Sequence, residues 1–142
     1  MTSASVAVDG ETISKIAAGF LILLGIEEGD GEDDLNYLVK KTLGLRIFKD
    51  DDDNMNLSIQ DVGGEALVVS QFTLCADISR GMRPSFVYAA SPEKADQMYR
   101  QYCKQLISNR VQVQTGKFGA MMDVSLVNDG PVTIILESGN TR

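Results

Sequence analysis

The chain has 142 residues, 44% of them hydrophobic and 23% charged, enough to bury one core spanning residues 1–142 and too few for two. It contains no His, which excludes Ser/His/Asp and Cys/His relays, His-ligated zinc and a histidine pH switch. Its formal net charge of -7 argues at first against nucleic acid, because phosphate binding leaves a basic footprint. The distribution qualifies that exclusion. Glu27, Glu28, Asp30, Glu32, Asp33 and Asp34 form one acidic cluster and the four aspartates at 50–53 another, leaving ten acids against thirteen bases elsewhere. A mildly basic face is compatible with that balance. Cys75 and Cys103 are too far apart for a CxxC site and too few for a disulfide framework, so a reducing, cytoplasmic setting is expected. The longest apolar run, residues 20–26, is too short to span a bilayer, and Met1-Thr2-Ser3-Ala4 lacks the charged start of a signal peptide. The expectation is a soluble, non-secreted protein with no membrane partner.

Ser5-Val6-Ala7-Val8, Asp9-Gly10 and Thr12-Ile13-Ser14-Lys15-Ile16 predict a hairpin with an Asp-Gly turn. Residues 20–26 are apolar on both faces and predict a central strand, after which the acidic cluster marks an exposed loop. Leu35, Leu38, Val39, Thr42 and Leu43 recur at helical spacing behind Asp33 and Asp34, predicting a helix over about residues 33–45. Residues 65–74 read as a buried strand with a polar end. Ser91 as N-cap, Pro92 in the first turn and the stripe Ala95, Met98, Tyr99, Tyr102, Leu106 predict a second helix ending near Ser108. Residues 111–114, 122–127 and 132–136 predict three further strands. The fold class is mixed α/β, with two helices packed on largely antiparallel sheets.

Five segments invite chemistry, and each has a bland reading beside it. Asp50-Asp51-Asp52-Asp53-Asn54-Met55-Asn56-Leu57-Ser58 resembles a calcium loop, but Met55 stands where Gly is wanted, Asp61 would replace a bidentate Glu, and residues 59–64 do not begin a helix; a solvated loop is favoured. Arg80-Gly81-Met82-Arg83-Pro84-Ser85-Phe86 places two guanidinium groups around a turn, suited to phosphate or carboxylate and equally to plain surface charge. Ser70-Gln71-Phe72-Thr73 ends an apolar strand with two hydroxyls and an amide, which can orient a substrate or simply meet water. Met121 and Met122 read as core filler unless a pocket lies beside them, and Asn128-Asp129-Gly130-Pro131 alone reads as a hairpin turn.

Ser70-Gln71-Phe72-Thr73-Leu74, the Arg80 to Phe86 segment and Val124-Ser125-Leu126-Val127-Asn128-Asp129-Gly130-Pro131-Val132-Thr133 together resemble the D-aminoacyl-tRNA deacylases in order and spacing. The likeness extends through Leu23-Leu24-Gly25-Ile26, Leu45-Arg46-Ile47-Phe48 and Gln114-Thr115-Gly116-Lys117-Phe118, so it covers nearly the whole chain. It implies a layered β/β/α homodimer that hydrolyses the ester between a D-amino acid, or misattached glycine on tRNA-Ala, and the terminal adenosine of tRNA. Translation proofreading in the cytoplasm follows as its role.

By that resemblance Ser70, Gln71 and the backbone amides near Phe72 and Thr73 hold the adenosine and the carbonyl oxygen, with Thr73 as an orienting group. Met122, Arg80, Arg83 and Phe86 fall among the substrate contacts. Gly130-Pro131, as a cis peptide reaching into the other subunit's pocket, would exclude the L side chain by crowding. An aminoacyl ester is already activated and its ribose 2′-hydroxyl can assist, so no His, cofactor or metal is called for. Its partners would be the aminoacyl-tRNA 3′ end and a second copy, with no DNA. One departure stands out: the family begins with a further short strand ending Gln-Arg-Val, which this sequence lacks at its start. The competing reading is a non-catalytic dimeric module that binds adenosine-containing RNA ends.

Overall fold

The computed structural model describes residues 1–139. The order is β1 (Ser3–Val8), β2 (Glu11–Ile16), β3 (Gly19–Leu24), α1 (Glu32–Gly44), β4 (Phe48–Lys49), β5 (Met55–Leu57), α2 (Ile59–Val62), β6 (Glu65–Ser70), a 3-10 turn (Phe72–Cys75), α3 (Pro92–Ser108), β7 (Gln112–Thr115) and β8 (Asp123–Val127). Among these residues no helix is long and apolar enough to cross a membrane.

The strands form a β2-β1-β8 sheet, a β3-β6-β7 sheet and the small β4-β5 pair. Antiparallel pairing holds in the first and last, whereas β3, β6 and β7 are parallel. Each parallel pair needs one crossover, and the chain supplies one long helix for each: α1 between β3 and β6, α3 between β6 and β7. Two helices are therefore enough. β6 lies in the middle, so the run 20–26, predicted as a central strand, instead supplies the edge strand β3, with Leu23 exposed.

Burial along β6 separates the layers. Ala66 and Val68 join Leu35, Val39, Met98, Tyr99, Tyr102 and Leu106 beneath the helices, while Leu67 and Val69 meet Ala4, Val6 and Ile16 from the first sheet. Successive side chains on a strand point to opposite faces, so a continuously apolar strand seals both layers. The result is a β/β/α stack.

Local chemistry sets the elements. The hairpin turn uses positive φ at both Asp9 (52°) and Gly10 (80°), as a two-residue turn of the mirror type requires. The Asp34 carboxylate accepts from the Gly31 N–H at 2.9 Å ahead of α1, and Ser91 Oγ accepts from the Lys94 N–H at 3.3 Å to cap α3. Residues 59–62 do form a one-turn helix, contrary to expectation, because Ser58 and Asp61 cap each other's backbone N–H groups. The Asp50 carboxylate accepts from the N–H groups of Asp52 and Asn54 and from Asn56 Nδ2, so it stitches the β4-β5 turn and its pKa is lowered by those donors. Residues 51–55 of that turn are exposed.

Residues 132–136, predicted as a strand, run without a ladder. β8 pairs only with β1, and no neighbouring backbone offers residues 132–136 a ladder of donors and acceptors. Val124 and Leu126 pair with Val6 and Ala4, and so share their face of the sheet, yet both are exposed.

Tyr102 is the largest fully buried side chain; its hydroxyl lies 2.8 Å from Thr42 Oγ1, which donates to Leu38 O, tying α3 to α1. Burial pushes the Tyr102 hydroxyl up to about 12 from an ordinary 10.0, and that of Tyr99 likewise to about 12. A raised folded-state pKa stabilises the fold below the unfolded value and is lost as pH rises through the folded one. Urea midpoints should therefore hold up to pH 10.0 and fall toward about 12. Tyr102→Phe should cost about 1 kcal/mol at neutral pH yet flatten that alkaline fall; an equally steep fall in the variant would contradict the assignment.

Candidate active site at the end of the central strand

β6 ends at Ser70, and the chain turns at once into the 3-10 turn. The hinge is Gln71: its N–H donates to Leu24 O at 2.8 Å, extending the β3 pairing by one bond, while its carbonyl accepts from Leu74 N–H at 3.3 Å. The strand predicted to run to residue 74 therefore stops four residues earlier. Gly25 lets the turn sit this close, since a Cβ there would stand 3.0 Å from Leu74 Cβ and 3.4 Å from Gln71 O. Cys75 anchors the far end through Sγ to Ile26 O at 3.5 Å.

Among the described residues this turn leaves two backbone donors open. In a 3-10 turn the first N–H groups have no carbonyl three residues behind them within the turn, and here they are those of Phe72 and Thr73. Gln71 Nε2 donates to Thr73 Oγ1 at 3.0 Å, which fixes the hydroxyl at the exposed rim and leaves its proton free to donate outward. Among the described residues no base hydrogen-bonds to that oxygen. The nearby Cys75 thiol is pushed up by burial and by the negative charges of Glu27 and Asp30, so it stays protonated at neutral pH. The corner is built to orient and to donate hydrogen bonds, not to take a proton.

Phe86 lies over the same corner, its ring centroid 5.0 Å from that of Phe72 and tilted by 70°, an edge-to-face pair. It is held there by a closed loop: Asp77 and Ser85 exchange backbone hydrogen bonds at 2.7 and 2.9 Å, and Ala90 N–H returns to Ile26 O at 2.9 Å. Ser79 donates through its hydroxyl and its N–H to the Asp77 carboxylate, holding that carboxyl below its usual range. Arg80 and Arg83 are exposed on the tip of this loop and take part in no ion pair among the described residues. Met122 is half-buried against the Leu67 and Val69 layer, whereas Met121 is 91% exposed and fills no core.

Gly130-Pro131 is a cis peptide. The turn is braced by Asn128, whose Oδ1 accepts from the Val132 N–H at 3.2 Å and whose Nδ2 donates to Thr133 Oγ1 at 3.2 Å. Both Gly130 and Pro131 are exposed, and no hydrogen bond among the described residues joins them to 70–73 of their own chain. Thus Ser70, Gln71, Phe72, Thr73 and Phe86 come together at one corner of the chain, with no hydrogen bond to Gly130-Pro131 among the described residues. Asn128 was legible as a turn former but not as the brace of this peptide, and Gly25 carried no sequence signal of its role.

The same fold recurs in solved structures. A protein described as c-Myc DNA unwinding element binding protein superposes with a TM-score of 0.92 at 42% identity, covering 98% of this chain and 95% of its own. A probable eukaryotic D-amino acid tRNA deacylase shares the fold at a TM-score of 0.74 and 14% identity, covering 88% of each. Residues 1–137 match the family model D-Tyr-tRNA(Tyr) deacylase, and the chain belongs to that family. Curated D-aminoacyl-tRNA deacylases of Desulfatibacillum aliphaticivorans and of Escherichia coli O81 are 54% and 52% identical to it, each covering 96% of this chain and 93% and 94% of their own length.

The aromatic pair gives a test that needs no substrate. In a double-mutant cycle of Phe72→Ala and Phe86→Ala read by urea unfolding, the coupling should be about 0.5–1.5 kcal/mol. Strict additivity would show that the loop is not held on the corner by those rings.

Proposed function

We propose that this chain hydrolyses the ester linking a D-amino acid to the 3′-terminal adenosine of tRNA, as a cytoplasmic proofreading enzyme working as a homodimer. The observation that carries this reading is the pair of open N–H groups at Phe72 and Thr73 beside the Gln71-fixed Thr73 hydroxyl, in a chain of this family. Such donors suit a carbonyl oxygen that gains negative charge as water adds to the ester carbon. The bond to the ribose 3′ oxygen then breaks, the proton from water passing to that oxygen with help from the neighbouring 2′-hydroxyl. No side chain need ionise. Ser70 and Gln71 are assigned to the adenosine, Phe86 and Met122 to its apolar faces, and Arg80 and Arg83 to phosphates of the RNA end. Only the RNA end is engaged, which suits a chain of net charge -7 better than a duplex, DNA included. No cofactor or metal is assigned.

Chirality is assigned to Gly130 and Pro131 of a second copy. Main-chain oxygens there would crowd an L side chain, admit a D side chain pointing outward, and offer nothing against glycine, so glycine misattached to tRNA-Ala would also be cleaved. The apolar surface supports a partner copy: Val124 and Leu126, on the strand face shared with Val6 and Ala4, are partly exposed, and so are Ile134 and Ile135 nearby in sequence.

Purified protein incubated with D-tyrosyl-tRNA and L-tyrosyl-tRNA should release only the D-amino acid. Equal release from both, or adenosine binding with no release from either, would leave the non-catalytic module as the answer. Thr73→Ala should lower turnover by about tenfold or less, the worth of one hydrogen bond. Gly130 has φ +120°, and a Cβ there would stand 2.9 Å from Val132 Cγ2 and 3.2 Å from Val132 N, so Gly130→Ala must shift the turn. It should damage discrimination or turnover more than Thr73→Ala does; abolished turnover with intact binding in Thr73→Ala would instead make Thr73 the nucleophile.

A further inference from the structure

Gly116 follows β7 and extends its ladder by one bond, N–H to Val68 O at 3.2 Å. Its φ lies outside the left-handed region, so its backbone does not demand glycine. Space does. A Cβ on Gly116 would stand 2.6 Å from Met122 Sδ, 3.7 Å from Met122 Cε and 3.7 Å from Val69 Cγ2. The adjacent Lys117 N–H points at the same sulfur, 3.4 Å away. The thioether therefore occupies the volume that any side chain at 116 would fill, with a backbone donor on one side and Val69 beside it.

Val69 is the last β6 residue facing the layer between the sheets, and it directly precedes Ser70 and the Gln71 corner. Met122 in turn directly precedes β8, the strand that leads to Asn128 and the Gly130-Pro131 turn. We infer that Gly116 is a positioning residue for the reaction: its missing side chain seats the Met122 thioether beside the end of β6 and so sets the floor of the substrate pocket. This rests on the proposed role of Met122 as a substrate contact. Methionine is flexible, and sulfur is the atom in the way, so Gly116→Ala can be relieved by swinging Met122 out of its seat without unfolding the sheet. Fold is kept and placement is lost.

Two readouts separate this from a merely structural glycine. In protein labelled with 13C at the methionine methyls, six in all, the Met122 resonance is identified by its loss in Met122→Ala. Gly116→Ala should move that resonance while the melting temperature changes little. On D-tyrosyl-tRNA, Gly116→Ala should lower kcat/KM by between about tenfold and a hundredfold, as a displacement of about 1 Å beside a reacting group does. In the Met122→Ala background the same change should have no further effect on kcat/KM, because the atom it displaces is gone. An unmoved Met122 methyl, or the same loss of kcat/KM in both backgrounds, overturns the inference. A wild-type chain that releases no D-tyrosine while its Met122 methyl still moves in Gly116→Ala defeats the proposed function and leaves the seat itself supported.

Discussion

One hydrogen bond decides where the site begins. The Gln71 N–H donates to Leu24 O and is the last rung of the parallel pairing of β3 with β6; beyond it the chain abandons the ladder and tightens into a 3-10 turn. Had the strand continued, the N–H groups of Phe72 and Thr73 would have been spent on a neighbouring strand. Because it stops, neither has a backbone partner among the described residues, and both lie at the C-terminal edge of a parallel sheet, where open α/β sheets place their ligands. The two layers packed on β6 make this edge rigid, since Ala66, Leu67, Val68 and Val69 are all buried.

Rigidity matters because the corner lacks a titratable group to do the work. With no histidine, a thiol held protonated by burial and a threonine hydroxyl fixed by Gln71, what the protein can supply is placement and oriented dipoles. An aminoacyl ester asks for little more. Two groups of apolar residues stay exposed: Phe72 and Phe86 at the corner, and Val124 and Leu126 on the edge strand β8.

Much of this was legible in the sequence, and the failures have physical causes. α3 was read with its cap and stripe because Ser91, Pro92 and the spacing of Ala95, Met98, Tyr99, Tyr102 and Leu106 are all local signals. The hairpin was equally local. Strand partners are not: periodicity says that residues 20–26 are apolar on both sides, yet only the parallel crossover decides that β3 takes the edge and β6 the centre. Residues 132–136 have strand composition but no partner ladder, and composition cannot supply one. The helix at residues 59–62 depends on Ser58 and Asp61 capping each other's backbone N–H groups, a signal that the calcium-loop pattern of 50–58 with Asp61 masks. At the site, Ser70, Gln71 and Thr73 were visible as a polar strand end, whereas the open amides arise from backbone geometry, which side-chain patterns do not encode. Gly25 and Gly116 matter only through the atoms beside them, Leu74 and Met122, which are distant in sequence or displaced by a turn.

The central claim is that the Phe72 and Thr73 amides hold the scissile carbonyl of a D-configured ester. It is tested most directly by 15N–1H spectra of the protein titrated with non-hydrolysable amide analogues, 3′-(D-tyrosylamino)-3′-deoxyadenosine and its L counterpart. The Phe72 and Thr73 amide signals should shift more than those of the rest of the backbone with the D compound and stay in place with the L compound. Signals at those two residues that ignore the D analogue, or respond equally to both, would contradict the account.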